Sequence, residues 1–193
     1  LASIGNFMTI NISCPNAYGG QHFNEKTRLK KLLTALEKIR TTKPIFLKLS
    51  PELKEKEIDD IIAVAEQHRV HGFIIANLIK KREDKKIFDR GVPMIGGLSG
   101  KLAEEKANKM ISYVYKKTKG KFVIIGCGGI FSAKDAYTKI KLGASLVQLI
   151  TGMIFEGPQL ISEINQGLVR LLKKEGYKNI SEAIGADHKQ SKN

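Results

Sequence analysis

The chain has 193 residues, 42% hydrophobic and 27% charged, the profile of a folded globular protein with one sizeable core, which excludes disordered and fibrous classes. Lysine and arginine number 33 against 19 acidic residues, and the resulting +14 favours anionic ligands without choosing among phosphates, nucleic acid and lipid. The basic residues come in short groups such as Lys30-Lys31, Lys80-Lys81-Arg82, Lys116-Lys117 and Lys173-Lys174, with no long basic run, so no nucleic-acid partner is expected.

In chain order, the first strand pattern is FMTINI (residues 7–12), which runs into the polar turn NISCPNAYGG (11–20). Leu32, Leu33, Leu36 and Ile39 then mark a helix, and PIFLKL (44–49) a second strand. Ile58, Ile61, Ile62 and Ala65 mark the next helix, followed by the strand GFIIAN (72–77). Residues 78–95 read as a long charged loop placed to act as a lid. GGLSG (96–100) opens a helix carried by Ala103, Ala107, Met110, Ile111 and Val114. The strand KFVIIG (121–126) leads into FSAKDAYTKIKLG, a helix with Ser132 and Asp135 as a capping box and Gly143 as its stop. SLVQLI (145–150) is the fifth strand, and a last amphipathic helix runs from about Pro158 to Lys174 on Leu160, Ile164, Leu168 and Leu171. All five strands are apolar enough for burial on both faces. Strict β-α alternation gives a parallel sheet with helices outside, either doubly wound or closed into an eight-stranded barrel.

Ligands in both architectures sit at the C-terminal ends of the strands, and here every strand end carries polar residues or glycine. Lys48 lies among apolar neighbours, which leaves two readings: a stem that reaches solvent, or a cation fixed beside an anionic ligand. GCGGIF and LITGMIFEGP each place glycine after a strand and before a helix, and GGLSG adds a third such loop. Two consecutive loops of this kind suit a phosphate. Cys14, among Asn11, Ser13 and Asn16 on a turn stiffened by Pro15, is either a small buried apolar group or a base or nucleophile. Cys127 lacks such company and reads as packing. The two thiols are too far apart for a metal motif and suit a reducing compartment, so no metal is expected. No apolar run approaches a membrane span, and the N-terminal residues have no basic-then-apolar leader pattern.

Taken together, NISCPN, KLSP, GGLSG, IIGCGGI, GASLVQLITG and GYKNISEAIG resemble the blocks of the dihydroorotate dehydrogenases, in that family's order and across residues 7–186. The family comprises flavin enzymes of pyrimidine (UMP) synthesis on a (β/α)8 barrel, and the resemblance implies FMN as cofactor and oxidation of dihydroorotate to orotate. It implies that Asn11, Asn16 and Asn77 bind the orotate ring and its carboxylate, with Asn11 also touching the flavin. Cys14 falls where the family places the base that takes the C5 proton while hydride leaves C6. Lys48 falls beside the N1/O2 edge of the flavin, and Ala76, Gly100, Gly129, Ile150 and Thr151 fall where FMN is held.

The C-terminal blocks resemble the quinone-reducing class, which usually has serine as base, whereas cysteine is typical of the soluble classes that reduce fumarate or NAD. The family's TNT after its sixth strand is here Ala76-Asn77-Leu78, so only Asn77 carries over. Quinone is the expected acceptor, and the expected location is cytoplasmic or peripheral on the inner face of the cytoplasmic membrane. Residues 1–193 are expected to be the C-terminal part of one FMN-binding barrel domain. Five strands are visible where a barrel of about 250 residues needs eight, and the five correspond to strands four to eight. Such a chain leaves two open sheet edges and half a core exposed, and alone it is expected to fold poorly. The rival readings are another FMN- or phosphate-binding barrel enzyme and a basic anion- or nucleic-acid-binding module.

Overall fold

The computed structural model describes residues 4–13, 23–39, 41–81, 91 and 96–189. Five strands, β1 (Met8–Asn11), β2 (Ile45–Leu49), β3 (Gly72–Ile75), β4 (Val123–Cys127) and β5 (Leu146–Gln148), form one sheet. Each pairs in parallel with the next, in the order β1-β2-β3-β4-β5. All five expected strands are present, shortened by one to three residues.

Sequential order answers the question the sequence left open. A doubly wound sheet reverses its strand order at a switch point and carries helices on both faces; this sheet does neither. Its helices are α1 (Lys26–Glu37), α2 (Glu55–Ala65), α3 (Glu104–Thr118), α4 (Ala133–Lys141), α5 (Thr151–Glu156), α6 (Leu160–Lys174) and α7 (Ile180–Ala183). Leu47 and Leu49 of β2, Phe73 and Ile75 of β3 and Ile124 of β4 pack against Leu29, Leu33, Ile58, Ile61, Met110, Ile111 and Val114 of α1–α3 in the main core. The alternate residues Phe46, Ile74 and Ile125 form a separate cluster joined by Cys127, with no helical residue in it. Helices on one face and an inward row on the other make this an arc of a (β/α)8 barrel.

The inward face departs from the expectation of burial on both sides. Thr9 and Asn11 of β1 are exposed, and Val123, Leu146 and Ile150 keep 39%, 56% and 63% of their surface. The physical reason is closure: five strands of an eight-strand cylinder leave its interior facing water toward the edges.

The start of α4 carries the expected cap with one change. Ser132 Oγ accepts from the Asp135 N–H at 3.2 Å, but Asp135 Oδ2 accepts from Phe131 N at 2.9 Å, one residue before the N-cap. Lys101 holds the other carboxylate oxygen at 2.8 Å and so turns the group outward from the box.

α5 and α7 were not expected. The C-terminal segment containing α7 closes over α3, where the ring of Tyr115 lies against Gly120, Gly143 and Gly185 and stacks on His188 with centroids 5.3 Å apart. A Cβ on Gly143 or Gly185 would overlap that ring.

Candidate active site

A cleft lies at the C-terminal ends of β2–β5, where ligands of parallel β/α folds sit. Seven of the ten residues singled out from the sequence line it: Lys48, Ala76, Asn77, Gly100, Gly129, Ile150 and Thr151. They come from four strand ends and the loop before α3, so only the barrel arrangement brings them together.

Lys48 projects from the inward row of β2, two residues beyond Phe46, and is half-buried. Strand alternation explains this: Leu47 and Leu49 take the helix side, so Lys48 must point inward, where the apolar cluster ends and the cleft begins. The chain then turns at Ile75–Ala76, a cis peptide bond, and Ala76 N donates to Cys127 O at 3.0 Å. Asn77 follows, its own N–H bonded to Leu49 O at 2.9 Å.

Asn11 is outside the cleft lining but is tied to it. Ser13 Oγ donates to Asn11 Oδ1 at 2.7 Å, and Asn77 Nδ2 donates to Ser13 Oγ at 2.5 Å. The two amides, 66 positions apart in the chain, thus belong to one hydrogen-bonded row across β1–β3. Cys14 and Asn16 lie outside the described residues, as do residues 82–90 and 92–95 of the expected lid.

The glycine loops meet at the far end of the cleft. Thr151 Oγ1 donates to Ser99 Oγ at 2.9 Å, joining the start of α5 to the GGLSG loop. Gly129 has φ 75°, and a side chain there would collide with Glu104 at the start of α3. Only glycine lets the loop after β4 sit that close to the α3 N-terminus. Lys101 fastens the platform, pairing with Glu104 at 3.2 Å and Asp135 at 2.8 Å while lying 5.5 Å from the Phe131 ring. Burial pushes the Asp135 carboxyl up, but Lys101, the Phe131 N–H and Ser132 together outweigh it and hold the group below the usual carboxylate range.

Cys127, read from sequence as packing, does pack on the inward cluster, and it also lines the cleft. Burial raises its thiol pKa while Lys48 and Lys139 oppose the rise, which suits a packing residue more than a nucleophile. Ser99 and Gly128, inside the GGLSG and GCGGIF loops, also line the cleft, and Ser13 links Asn11 to Asn77; the sequence reading gave none of the three a role. Their signal was position alone, since each lies within two residues of one already singled out.

The residues present fit a flavin mononucleotide. The cleft lining offers a cation at Lys48, glycine backbone at Gly100, Gly128 and Gly129, hydroxyls at Ser99 and Thr151, and apolar surface at Cys127 and Ile130. Among the described residues no cluster of His, Cys, Asp or Glu could hold a metal ion, and no helix is long and apolar enough to cross a membrane.

Comparison with known proteins agrees with this geometry. A protein of Arabidopsis thaliana called dihydroorotate dehydrogenase (quinone), mitochondrial, is 38% identical over 197 residues, covering 98% of this chain and 43% of its own length. A dihydroorotate dehydrogenase (quinone) of Crocosphaera subtropica is 41% identical over 188 residues, covering 94% and 50%. The chain therefore spans about half the length of the curated relatives it matches. A crystal structure of DHODH from Eimeria tenella in complex with ferulenol superposes with a TM-score of 0.89 at 29% identity, over 97% of this chain and 56% of that one. The ligand-free form from the same organism gives 0.87 at 31%, over 95% and 56%. With the family model described as dihydroorotate dehydrogenase matching residues 1–172, the chain belongs to the dihydroorotate dehydrogenase family.

Proposed function

We propose that the chain is the FMN-binding C-terminal portion of an enzyme that oxidises (S)-dihydroorotate to orotate and passes the electrons to a quinone. The observation that carries this reading is the single cleft that joins Lys48 and Asn77 to the glycine loops at Gly100 and Gly129. The quinone acceptor rests on the printed names of the relatives. A quinone dissolves in membrane lipid, so this acceptor favours the peripheral site on the inner face of the cytoplasmic membrane over the cytoplasm itself.

In this reading FMN, when bound, supplies the hydride acceptor. The chain's residues do the rest. Gly100, Gly129 and Thr151 hold the phosphate end, with Ala76 and Ile150 against the remainder of the cofactor. Lys48 sets a positive charge at the other end, where apolar surface and half-burial make it stronger than an exposed lysine. Asn11 and Asn77, held in register through Ser13, orient the ring of the substrate, joined by Asn16. Cys14 accepts the C5 proton.

The test is an anaerobic half-reaction on this chain joined to the preceding barrel strands of a quinone-type relative. Dihydroorotate should bleach the flavin band near about 450 nm, and a quinone, but not fumarate or NAD, should restore it. Cys14→Ala should slow the bleaching by roughly 10²–10⁴ without loss of flavin. Bound flavin that stays oxidised with dihydroorotate would remove the substrate from the proposal.

A further inference from the structure

Among the described residues Lys139 of α4 is the one charged side chain with no exposed surface. Its stem packs behind β4, where Gly126 makes room: a Cβ on that glycine would lie 3.1 Å from Lys139 Cδ. Its Nζ donates to Asn108 Oδ1 of α3 at 2.7 Å. No carboxylate among the described residues forms an ion pair with it. The nearby carboxylates, Glu104 and Asp135, are both engaged by Lys101. A buried ammonium with one amide acceptor and no contacting anion is costly, and a tie to Asn108 alone needs no charge.

The missing counter-charge has a place in the fold. Lys139 interacts electrostatically with Glu104 at the start of α3, Cys127 at the end of β4, Asp135 at the start of α4 and Lys101 before α3. Cys127 opens the Cys127–Gly129 loop and Glu104 lies against it at Gly129, while Cys127, Gly128 and Gly129 line the cleft. We propose that Lys139 is a positioning residue for a phosphate monoester, acting from behind the Cys127–Gly129 loop so that the grip on the phosphate depends on its own proton. The proposal rests on the reading of the glycine loops as the phosphate end of the flavin site.

Burial lowers the Lys139 pKa to about 8, with Glu104, Cys127 and Asp135 pulling it up and Lys101 pushing it down. A phosphate dianion beyond the loop favours the charged form, so binding takes up a proton, and affinity falls as pH rises through 8. The phosphate's own second ionisation is complete well below that range, with a pKa of about 6.

The test compares FMN with riboflavin, which lacks the phosphate, by quenching of flavin fluorescence on the apoprotein between pH of about 7 and 9.5. Affinity for FMN should weaken roughly tenfold across that range while riboflavin affinity stays flat. Lys139→Met should bind FMN at pH of about 7 as weakly as the unmodified protein does at the alkaline end, with no further loss as pH rises. Lys139→Arg, which keeps its charge, should hold FMN evenly throughout. A second readout needs no variant: calorimetry in two buffers of different ionisation enthalpy should show proton uptake with FMN near pH of about 8 and none with riboflavin. A Lys139→Met profile parallel to that of the unmodified protein, or no proton uptake, overturns the role of Lys139 and leaves the flavin reading standing. FMN held no more tightly than riboflavin overturns the phosphate site and the inference together.

Discussion

Lys48 is half-buried at the cleft, whereas Lys139 is fully enclosed behind β4. Lys48 stood out because Phe46, Leu47 and Leu49 flank it in a strand whose alternation forces one face inward. Lys139 did not, because lysine in a helical pattern is ordinarily solvated; only its place three residues after Ala136, beside Ile140, on the stripe that α4 buries, gave a hint. A prediction on stability follows from its depressed pKa. Between pH of about 8 and 10.5 the unfolded chain binds the proton that the folded chain has lost, so stability should rise with pH in that window. Lys139→Met should abolish the slope and be at least as stable as the parent at neutral pH, as thermal unfolding at several pH values will show. A variant that keeps the slope would assign it to another group. Cys127 was half legible: packing followed from its strand, but its share in the cleft required knowing that β4 lies between β3 and β5.

At the scale of elements, the long periodic helices and all five strands could be read directly from an apolar stripe and a glycine or polar stop, except that α1 buries Leu29 and ends before Ile39, which is 47% exposed. α5 could not. It is six residues long, and Ile154 and Phe155 are 70% and 76% exposed, so no buried stripe marks it. The capping box at α4 was legible in its hydroxyl half and misplaced in its carboxylate half, since the pull of Lys101 on Asp135 is a tertiary fact. Asp135→Ala removes the bond to Phe131 and the partner of Lys101, and should cost about 1–2 kcal/mol in denaturant unfolding. An effect below about 0.5 kcal/mol would mean the pair is as weak as an exposed one. Gly129→Ala meets both a positive φ and Glu104, so it should lower stability by about 1–3 kcal/mol and weaken flavin binding as well. Unchanged flavin affinity in a folded Gly129→Ala protein would take that loop out of the site.

At the scale of the whole molecule, alternation alone left open sheet and barrel as equals. Strand order decided between them, and order is a property of packing that local pattern does not carry. The six ordered motif blocks carried the family further than periodicity did, since amides and glycines at strand ends have chemical reasons for their spacing. The exposed inward row predicts behaviour. The isolated chain should bind a hydrophobic dye such as anilinonaphthalene sulfonate at Val123, Leu146 and Ile150, and should lose that signal when joined to the preceding strands of a relative. A dye-silent monomer that melts cooperatively would show that the five-strand arc is self-sufficient.

The Tyr115 socket has a practical consequence for such work. The chain contains five tyrosines and no tryptophan, so tyrosine emission and near-ultraviolet dichroism are not masked by a stronger chromophore. Tyr115 is the ring enclosed by backbone from three separate stretches, at Gly120, Gly143 and Gly185, and faced by an imidazole. Undocking residues 180–188 removes Gly185 and the His188 imidazole and leaves only Gly120 and Gly143 against the ring, so a drop in its dichroism gauges whether the C-terminal segment is seated.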